Sequence, residues 1–165
     1  MIRMNFIFFV IFLSVAAFSI QLEAKDLTHR LGIGFKNNSS ESVPSLAVVY
    51  YPEKDYAFTS GLGFDTKKNY SVLQASAGFR KMIYFENNLN FYMGAQVGII
   101  NSENPTDGKN AGLDVLTTFG SEFFFSGLDN LGFTLEAGFG LSTLKNTRFR
   151  TVADDPLRAG IVFYF

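Results

Sequence analysis

The chain has 165 residues, 47% of them hydrophobic and 18% charged, and its formal net charge at pH 7 is −1. This length fits one domain, the composition excludes a disordered chain, and the near-neutral charge excludes the basic footprint of a nucleic-acid-binding protein. Cysteine is absent, which excludes disulfides and thiolate metal sites, and the single histidine excludes a cluster of histidine ligands. The 20 Phe, 7 Tyr and 15 Gly residues favour an all-β chain.

The first element along the chain is a leader segment. Arg3 precedes an apolar run over residues 6–20, which is shorter than the ~20 residues of a transmembrane helix. A polar stretch that ends at the small residue Ala24 follows this run. This succession of a basic residue, an apolar run and a small residue predicts a secretory signal peptide over residues 1–24. Residues 25–165 are then one exported β-barrel domain. An uncleaved inner-membrane anchor is the alternative interpretation of this segment.

Beyond the leader, apolar residues recur at every second position rather than at helical spacing. Seven segments have one apolar face and one face of glycine and polar residues, whereas an eighth, 45–51, is apolar on both faces and has no evident orientation. All four prolines lie between segments or at their edges, where a missing N–H does no damage. The eight predicted strands are 29–36, 45–51, 56–65, 70–85, 89–99, 111–125, 131–145 and 157–165.

The connections between the segments differ in length along the chain. Short connections lie at 52–55, 86–88 and 126–130, and longer polar ones lie at 37–44, 101–110 and 146–156, with 66–69 as a short exception. Up-and-down strands with short turns at one end and longer loops at the other are typical of a transmembrane β-barrel. The sequence therefore predicts an all-β fold, an eight-stranded antiparallel up-and-down transmembrane β-barrel.

The sizes of the two faces predict which of them points outward. An eight-stranded barrel has an interior just wide enough for side chains to fill, which suits the glycine-rich faces and not the Phe, Leu, Ile and Val faces. Turned outward, the apolar faces provide the ~25 Å apolar band of a membrane barrel. Aromatic residues crowd beside the short turns, which predicts an interfacial girdle at that end. Its predicted members are Tyr50, Tyr51, Tyr56, Tyr84, Phe85, Phe91, Tyr92, Phe123, Phe124, Phe125, Phe133, Phe163, Tyr164 and Phe165.

The C-terminal stretch has apolar residues at every second position, among them Ile161, Phe163 and the terminal aromatic Phe165. Together with the leader and the eight strands, this pattern resembles the small outer-membrane barrels of the OmpA/OmpX type, without a peptidoglycan-binding domain. The resemblance implies a porin-like monomer, without cofactors, in the outer membrane of a Gram-negative bacterium. It also implies contact with outer-membrane lipids and lipopolysaccharide, and an assembly signal at these three residues for the barrel-assembly machinery.

Four charged residues fall on inward faces at similar depths in the predicted barrel: Arg80, Glu122, Glu136 and Arg158. A desolvated charge is costly unless it is paired, so two arginines and two glutamates in a narrow lumen predict a hydrogen-bonded cluster. Two interpretations of the cluster remain. One is a structural plug, favoured because eight strands leave no continuous channel, and the other is a polar gate in a small-solute pore or ligand site.

The sequence predicts no catalytic, metal or cofactor site and no nucleic-acid partner. Outer-membrane lipid-A deacylases and palmitoyl-transferring barrels use a histidine near the outer rim, whereas His29 lies at the start of the first strand and so at the opposite end. The expected function is therefore a non-enzymatic outer-membrane barrel with a structural or surface-interaction role through its loops. The alternatives are a small-solute channel, a lipid- or ligand-binding barrel and a soluble lipocalin-like carrier. The last would lack the tryptophan of the lipocalin motif, since the chain has none.

Overall fold

The structure, a computed structural model, describes residues 25–37, 43–106, 108–144, 146–151 and 157–165, without the side chain of Arg150. The predicted signal peptide lies outside the described residues. No helix in the described ranges is long and apolar enough to cross a membrane. The described strands are β1 (Leu31–Asn37), β2 (Pro44–Glu53), β3 (Tyr56–Lys67), β4 (Tyr70–Glu86), β5 (Leu89–Asn104), β6 (Gly108–Phe124), β7 (Leu131–Ser142), β8 (Arg148–Thr151) and β9 (Arg158–Tyr164).

The strands form one closed antiparallel sheet. Each strand from β1 to β7 pairs with the next in the chain, and β9 pairs with both β7 and β1, which closes the barrel. The short β8 pairs with residues 139–142 of β7, beyond residues 131–136, which pair with β9. Strands β8 and β9 pair with successive parts of the same edge of β7 and so count as one strand of the wall. The barrel is therefore eight-stranded, as predicted.

Strand β8 is an addition to the predicted set, because it lies within 146–156, a stretch predicted as a loop. It has only 4 residues, too few for a clear alternation of faces. Strand β9 pairs with residues 131–136 of β7 only. The remaining residues of β7, towards the longer loops, can therefore pair with a second segment, and residues 139–142 pair with β8. This pairing satisfies backbone groups that would otherwise lack partners.

Tight turns join β3 to β4 and β4 to β5. Lys67 pairs with Tyr70 across the first turn, and Glu86 pairs with Leu89 across the second, so each turn has two residues. The second residue of each turn is an asparagine with a positive φ, 62° at residue 69 and 54° at residue 88. Asparagine tolerates this left-handed conformation better than most residues do. We call the end with the turns at 54–55, 87–88 and 125–130 the short-turn end, and the opposite end the loop end.

The two faces of the strands point as the alternation predicts. Phe35 and Phe64 on the outer surface are 66% and 72% exposed, whereas Arg80 and Glu122 inside the barrel are 3% and 0% exposed. The strand that the sequence left without orientation is β2, and it turns every second residue from Ser45 to Tyr51 into the lumen. The barrel thus has an apolar outside and a partly charged inside.

Four aromatic residues predicted for the girdle lie inside the barrel instead, so the prediction is wrong for them. They are Tyr51, Tyr92, Phe124 and Tyr164, all buried at the short-turn end of the lumen. The physical reason is the alternation itself, because the residues next to outward-facing aromatics along a strand must point inward. Six other predicted members are exposed on the outer surface: Tyr50, Tyr84, Phe91, Phe125, Phe163 and Phe165.

Candidate functional site

The lumen is filled by side chains in three zones. An apolar zone at the short-turn end consists of Leu27, Val49, Tyr51, Ala57, Met82, Tyr92, Phe124, Val162 and Tyr164. A smaller apolar zone at the loop end contains Val43, Val72 and Ile100, with Tyr70 and Leu144 packed against it. Between these zones lie four charged residues that we call the charge cluster: Lys36, Arg80, Glu136 and Arg158.

Glu136 on β7 is the centre of the charge cluster. Its Oε1 accepts hydrogen bonds from Nζ of Lys36 at 2.8 Å, Nη2 of Arg80 at 3.0 Å and the hydroxyl of Tyr92 at 2.7 Å. Its Oε2 lies 2.6 Å from Nζ of Lys36 and 3.6 Å from Nε of Arg158. One buried carboxylate therefore contacts two buried arginines and the partly buried Lys36, which come from three other strands.

Two further contacts extend the charge cluster across the lumen. Nε of Arg158 donates to the backbone oxygen of Asn37 at 3.2 Å, and its Nη2 donates to Oε1 of Gln96 at 3.5 Å. The guanidinium carbon of Arg80 lies 4.4 Å from the ring centroid of Tyr92, the distance of a cation–π contact. The cluster thus joins β1, β4, β5, β7 and β9 through side chains, in addition to the hydrogen bonds of the sheet.

Glu122 on β6 binds a different set of partners. Its Oε2 accepts a hydrogen bond from the hydroxyl of Tyr51 at 2.8 Å, and its Oε1 accepts one from the hydroxyl of Tyr164 at 2.5 Å. The rings of the two tyrosines meet edge to face, with their centroids 6.0 Å apart. Of the four charged residues predicted to cluster, the structure therefore joins Arg80, Glu136 and Arg158 directly and places Glu122 in a neighbouring tyrosine site.

Lumenal glycines provide the space for these tyrosine rings. A Cβ atom at Gly120 would lie 2.6 Å from Cζ of Tyr92, and one at Gly32 would lie 2.5 Å from Cε1 of Tyr164. Such distances are far below ordinary carbon contacts of roughly 3.5–4.0 Å. These glycines therefore leave room for large inward-pointing side chains on neighbouring strands, which explains their positions more specifically than the narrow lumen alone.

Sequence reasoning missed Lys36 as a cluster member, although the signal for it was present. Residues 32, 34 and 36 of β1 share one face, and the first two were placed inward as glycines. Tyr92 likewise follows Asn90 on the inward face of β5, where the alternation alone identifies it. Both residues were overlooked because one was treated as a strand end and the other as a girdle residue.

The remaining predicted residues lie apart from the lumen. His29 is exposed in the turn that precedes β1, where its φ is 62°. Ile161, Phe163 and Phe165 of the predicted assembly signal all point outward. The backbone N of Phe165 donates to the oxygen of Leu31 at 2.9 Å, which extends the contact of the C-terminus with β1. Within the described ranges, no group of three or more His, Cys, Asp or Glu residues is placed to hold a metal ion.

A closed antiparallel barrel with eight strands around its wall is the fold of the small OmpA-type barrels. Among solved structures, the chain is similar to the N-terminal β-barrel domain of Pseudomonas aeruginosa OprF, with a TM-score of 0.57 and 13% sequence identity. The similarity covers 84% of this chain and 98% of that domain. At this identity the comparison shows a common fold, and function must be argued from the residues. No protein-family model and no curated protein sequence matches the chain.

Proposed function

We propose that the protein is a non-enzymatic outer-membrane β-barrel that contributes to envelope structure or presents its loops to surface partners. The observation that carries this proposal is the reversed distribution of polarity in the barrel. Large apolar side chains cover the outside of every long strand, and charged side chains lie inside. Soluble monomers rarely expose contiguous apolar patches larger than a few hundred Å². A closed sheet also satisfies its own backbone groups, as hydrocarbon surroundings require.

The fold shared with the OprF barrel domain supports the same location. Outer-membrane lipids and lipopolysaccharide are then the proposed neighbours of the outer surface, and the barrel-assembly machinery is the proposed partner during biogenesis. The protein acts as a monomer in this proposal, because β9 closes the wall against β1 and β7 and leaves no long strand edge there to pair with a second copy. A lipocalin-like carrier needs the opposite arrangement, with apolar side chains around an internal ligand.

The contents of the lumen favour a structural role over a channel. Apolar side chains fill the lumen at both ends, and the cavity beside the charge cluster has a volume of about 20 Å³. A space of this size accommodates about one water molecule. The charge cluster therefore supports the interpretation as a plug that ties the strands together, and a small-solute channel would require these side chains to move.

A tryptophan reporter tests the proposed lipid contact, because the natural chain has no tryptophan to interfere. Ala95 faces outward in the middle of β5, and Thr106 is exposed in the loop after it. In vesicles with brominated acyl chains, we expect fluorescence of the Ala95→Trp variant to be strongly quenched. Fluorescence of the Thr106→Trp variant should respond to aqueous iodide and not to bromine. The proposal would be contradicted if brominated lipid did not quench the fluorescence of the Ala95→Trp variant.

Deleting Phe165 tests the proposed assembly signal. In the folded barrel the residue contributes one backbone hydrogen bond and an exposed ring, so its loss should change the free energy of unfolding by only about 1 kcal/mol. In cells, we expect clearly less folded barrel in the outer membrane, measured as the band that shifts on boiling in a gel of membrane fractions. Refolding of the purified variant in detergent serves as the control and should remain efficient. Equal amounts of folded barrel with and without Phe165 would argue against an assembly signal.

A further inference from the structure

A cavity of about 20 Å³ lies inside the barrel beside the charge cluster. Its lining includes all three cations of the cluster, Lys36, Arg80 and Arg158. None of the described residues that line it is acidic, because Glu136 contacts the same cations from outside the cavity. The polar part of the lining is completed by Ser45, Thr59, Ser76, Gln96 and Asn37. Ala47, Val49 and Val162 are among its apolar lining residues, and the charged residues among the described lining are all positive.

Each arginine of the cluster has one nitrogen without an acceptor. Nη1 of Arg80 and Nη1 of Arg158 are buried and have no hydrogen-bond partner among the described residues. The two side chains are only 4% and 2% exposed, so bulk water does not satisfy these donors. A buried charged donor without an acceptor costs free energy. Both arginines line the cavity, so a small acceptor there within reach of these nitrogens would remove that cost.

The charge and size of the cavity define the acceptor. Hydrogen bonds from a cationic donor to an anionic acceptor are roughly twice as strong as those between neutral groups. The three cations share the carboxylate of Glu136, and Asp114 is a further negative charge that acts on Arg158. A volume of about 20 Å³ admits a monatomic ion or one water. We propose that the lumen binds one monatomic anion of the size of chloride, held by Arg80 and Arg158.

This site is independent of where the barrel resides in the cell. A ligand that binds only the folded state raises its stability along a saturating curve. The anion thus acts as a structural component that balances the cluster, and its effect is measurable in the unfolding of the protein.

The first experiment measures the thermal unfolding midpoint of the full chain, refolded in detergent micelles, while sodium gluconate is replaced stepwise by sodium chloride or sodium bromide. Constant ionic strength removes differences in screening, and gluconate is too large for the cavity. We expect either halide to raise the midpoint by about 2–6 °C at saturation. Equal midpoints in gluconate and in halide would overturn the proposal and leave water as the occupant.

The second experiment places a carboxylate in the cavity through Ser76. The sheet neighbours of Ser76 are Gly61 and Gly98, so there is room for a larger side chain. The Ser76→Asp variant should lose the dependence on halide, because its own carboxylate occupies the site. The matched control is Ser102→Asp, which adds the same charge at a buried lumenal serine away from the cavity lining and should keep the dependence. A Ser76→Asp variant with an undiminished halide response would overturn the proposal.

A third measurement does not depend on whether these variants fold. Bromide scatters X-rays anomalously, so crystals of the unaltered protein grown in bromide should show an anomalous peak between Arg80 and Arg158. A peak at that position locates the ion directly. The absence of a peak in the cavity, at a bromide concentration that saturates the unfolding curve, would overturn the assignment of the site.

Discussion

Replacing Glu136 with glutamine should lower the free energy of unfolding by about 3–5 kcal/mol, because the change leaves buried cations without their counter-charge. The carboxylate contacts Lys36, Arg80 and Arg158, so its removal affects three charges at once. The loss should lie near the lower end of this range, since the glutamine oxygen still accepts a hydrogen bond. Equilibrium unfolding in urea, with the barrel reconstituted in lipid vesicles, measures this change.

The matched control for this variant is Glu122→Gln. Glu122 is equally buried, but its oxygens accept hydrogen bonds from Tyr51 and Tyr164, which carry no charge. Glutamine can accept one of these bonds, so the expected loss is about 1–2 kcal/mol. Equal losses at positions 122 and 136 would contradict the view that Glu136 acts mainly by balancing charge.

A double-mutant cycle isolates the pair formed by Arg80 and Glu136. Arg80→Gln alone should cost less than Glu136→Gln alone, because Glu136 keeps its contacts with Lys36 and Arg158. The double variant should recover part of the sum of the two single losses, which is the signature of direct coupling. The recovery is incomplete because two cations remain unbalanced. Strictly additive losses would show that the 3.0 Å contact between the two side chains contributes nothing.

The architecture was predictable because a single physical pattern determines it. Alternation with period two places side chains on opposite faces of each strand, and this pattern identified seven of the strands and their inward faces. It failed at β2, where Ala47 and Val49 inside are as apolar as Leu46 and Val48 outside. Where both faces are apolar, orientation depends on the neighbouring strands, and the segment by itself carries no signal.

The sequence predicted which side chains point into the lumen better than it predicted which of them contact each other. Which inward side chains meet depends on the stagger of the strands around the barrel. Hairpin turns set the register between β3 and β4, but β9 meets β7 after a long connection and meets β1 only when the barrel closes. The stagger therefore decides that Glu136 faces Arg158 across the sheet while Glu122 faces Thr134. Alternation alone places all four residues inside and leaves their pairing open.

Introducing an arginine at Ala95 should destabilise the barrel in a lipid bilayer by about 2–4 kcal/mol, the cost measured for charged residues near the midplane of membrane barrels. Ala95 faces outward on β5 and pairs with Phe79 and Thr117, midway along the neighbouring strands. The side chain has no lumenal contacts to lose, so in the proposed membrane location the cost comes from the lipid around the barrel. Urea unfolding in vesicles measures it.

The control lies on the same face of the same strand, nearer the loop end. Asn101 is also exposed on β5, and the Asn101→Arg variant should lose only about 0–1 kcal/mol, because the proposed location of the barrel places this residue near the membrane interface. The difference between the two variants therefore reports depth in the bilayer on one face of one strand. On a barrel surrounded by water, both would be ordinary surface substitutions with effects within about 0.5 kcal/mol. Equal and small losses at positions 95 and 101 would show that the apolar outer surface does not contact lipid.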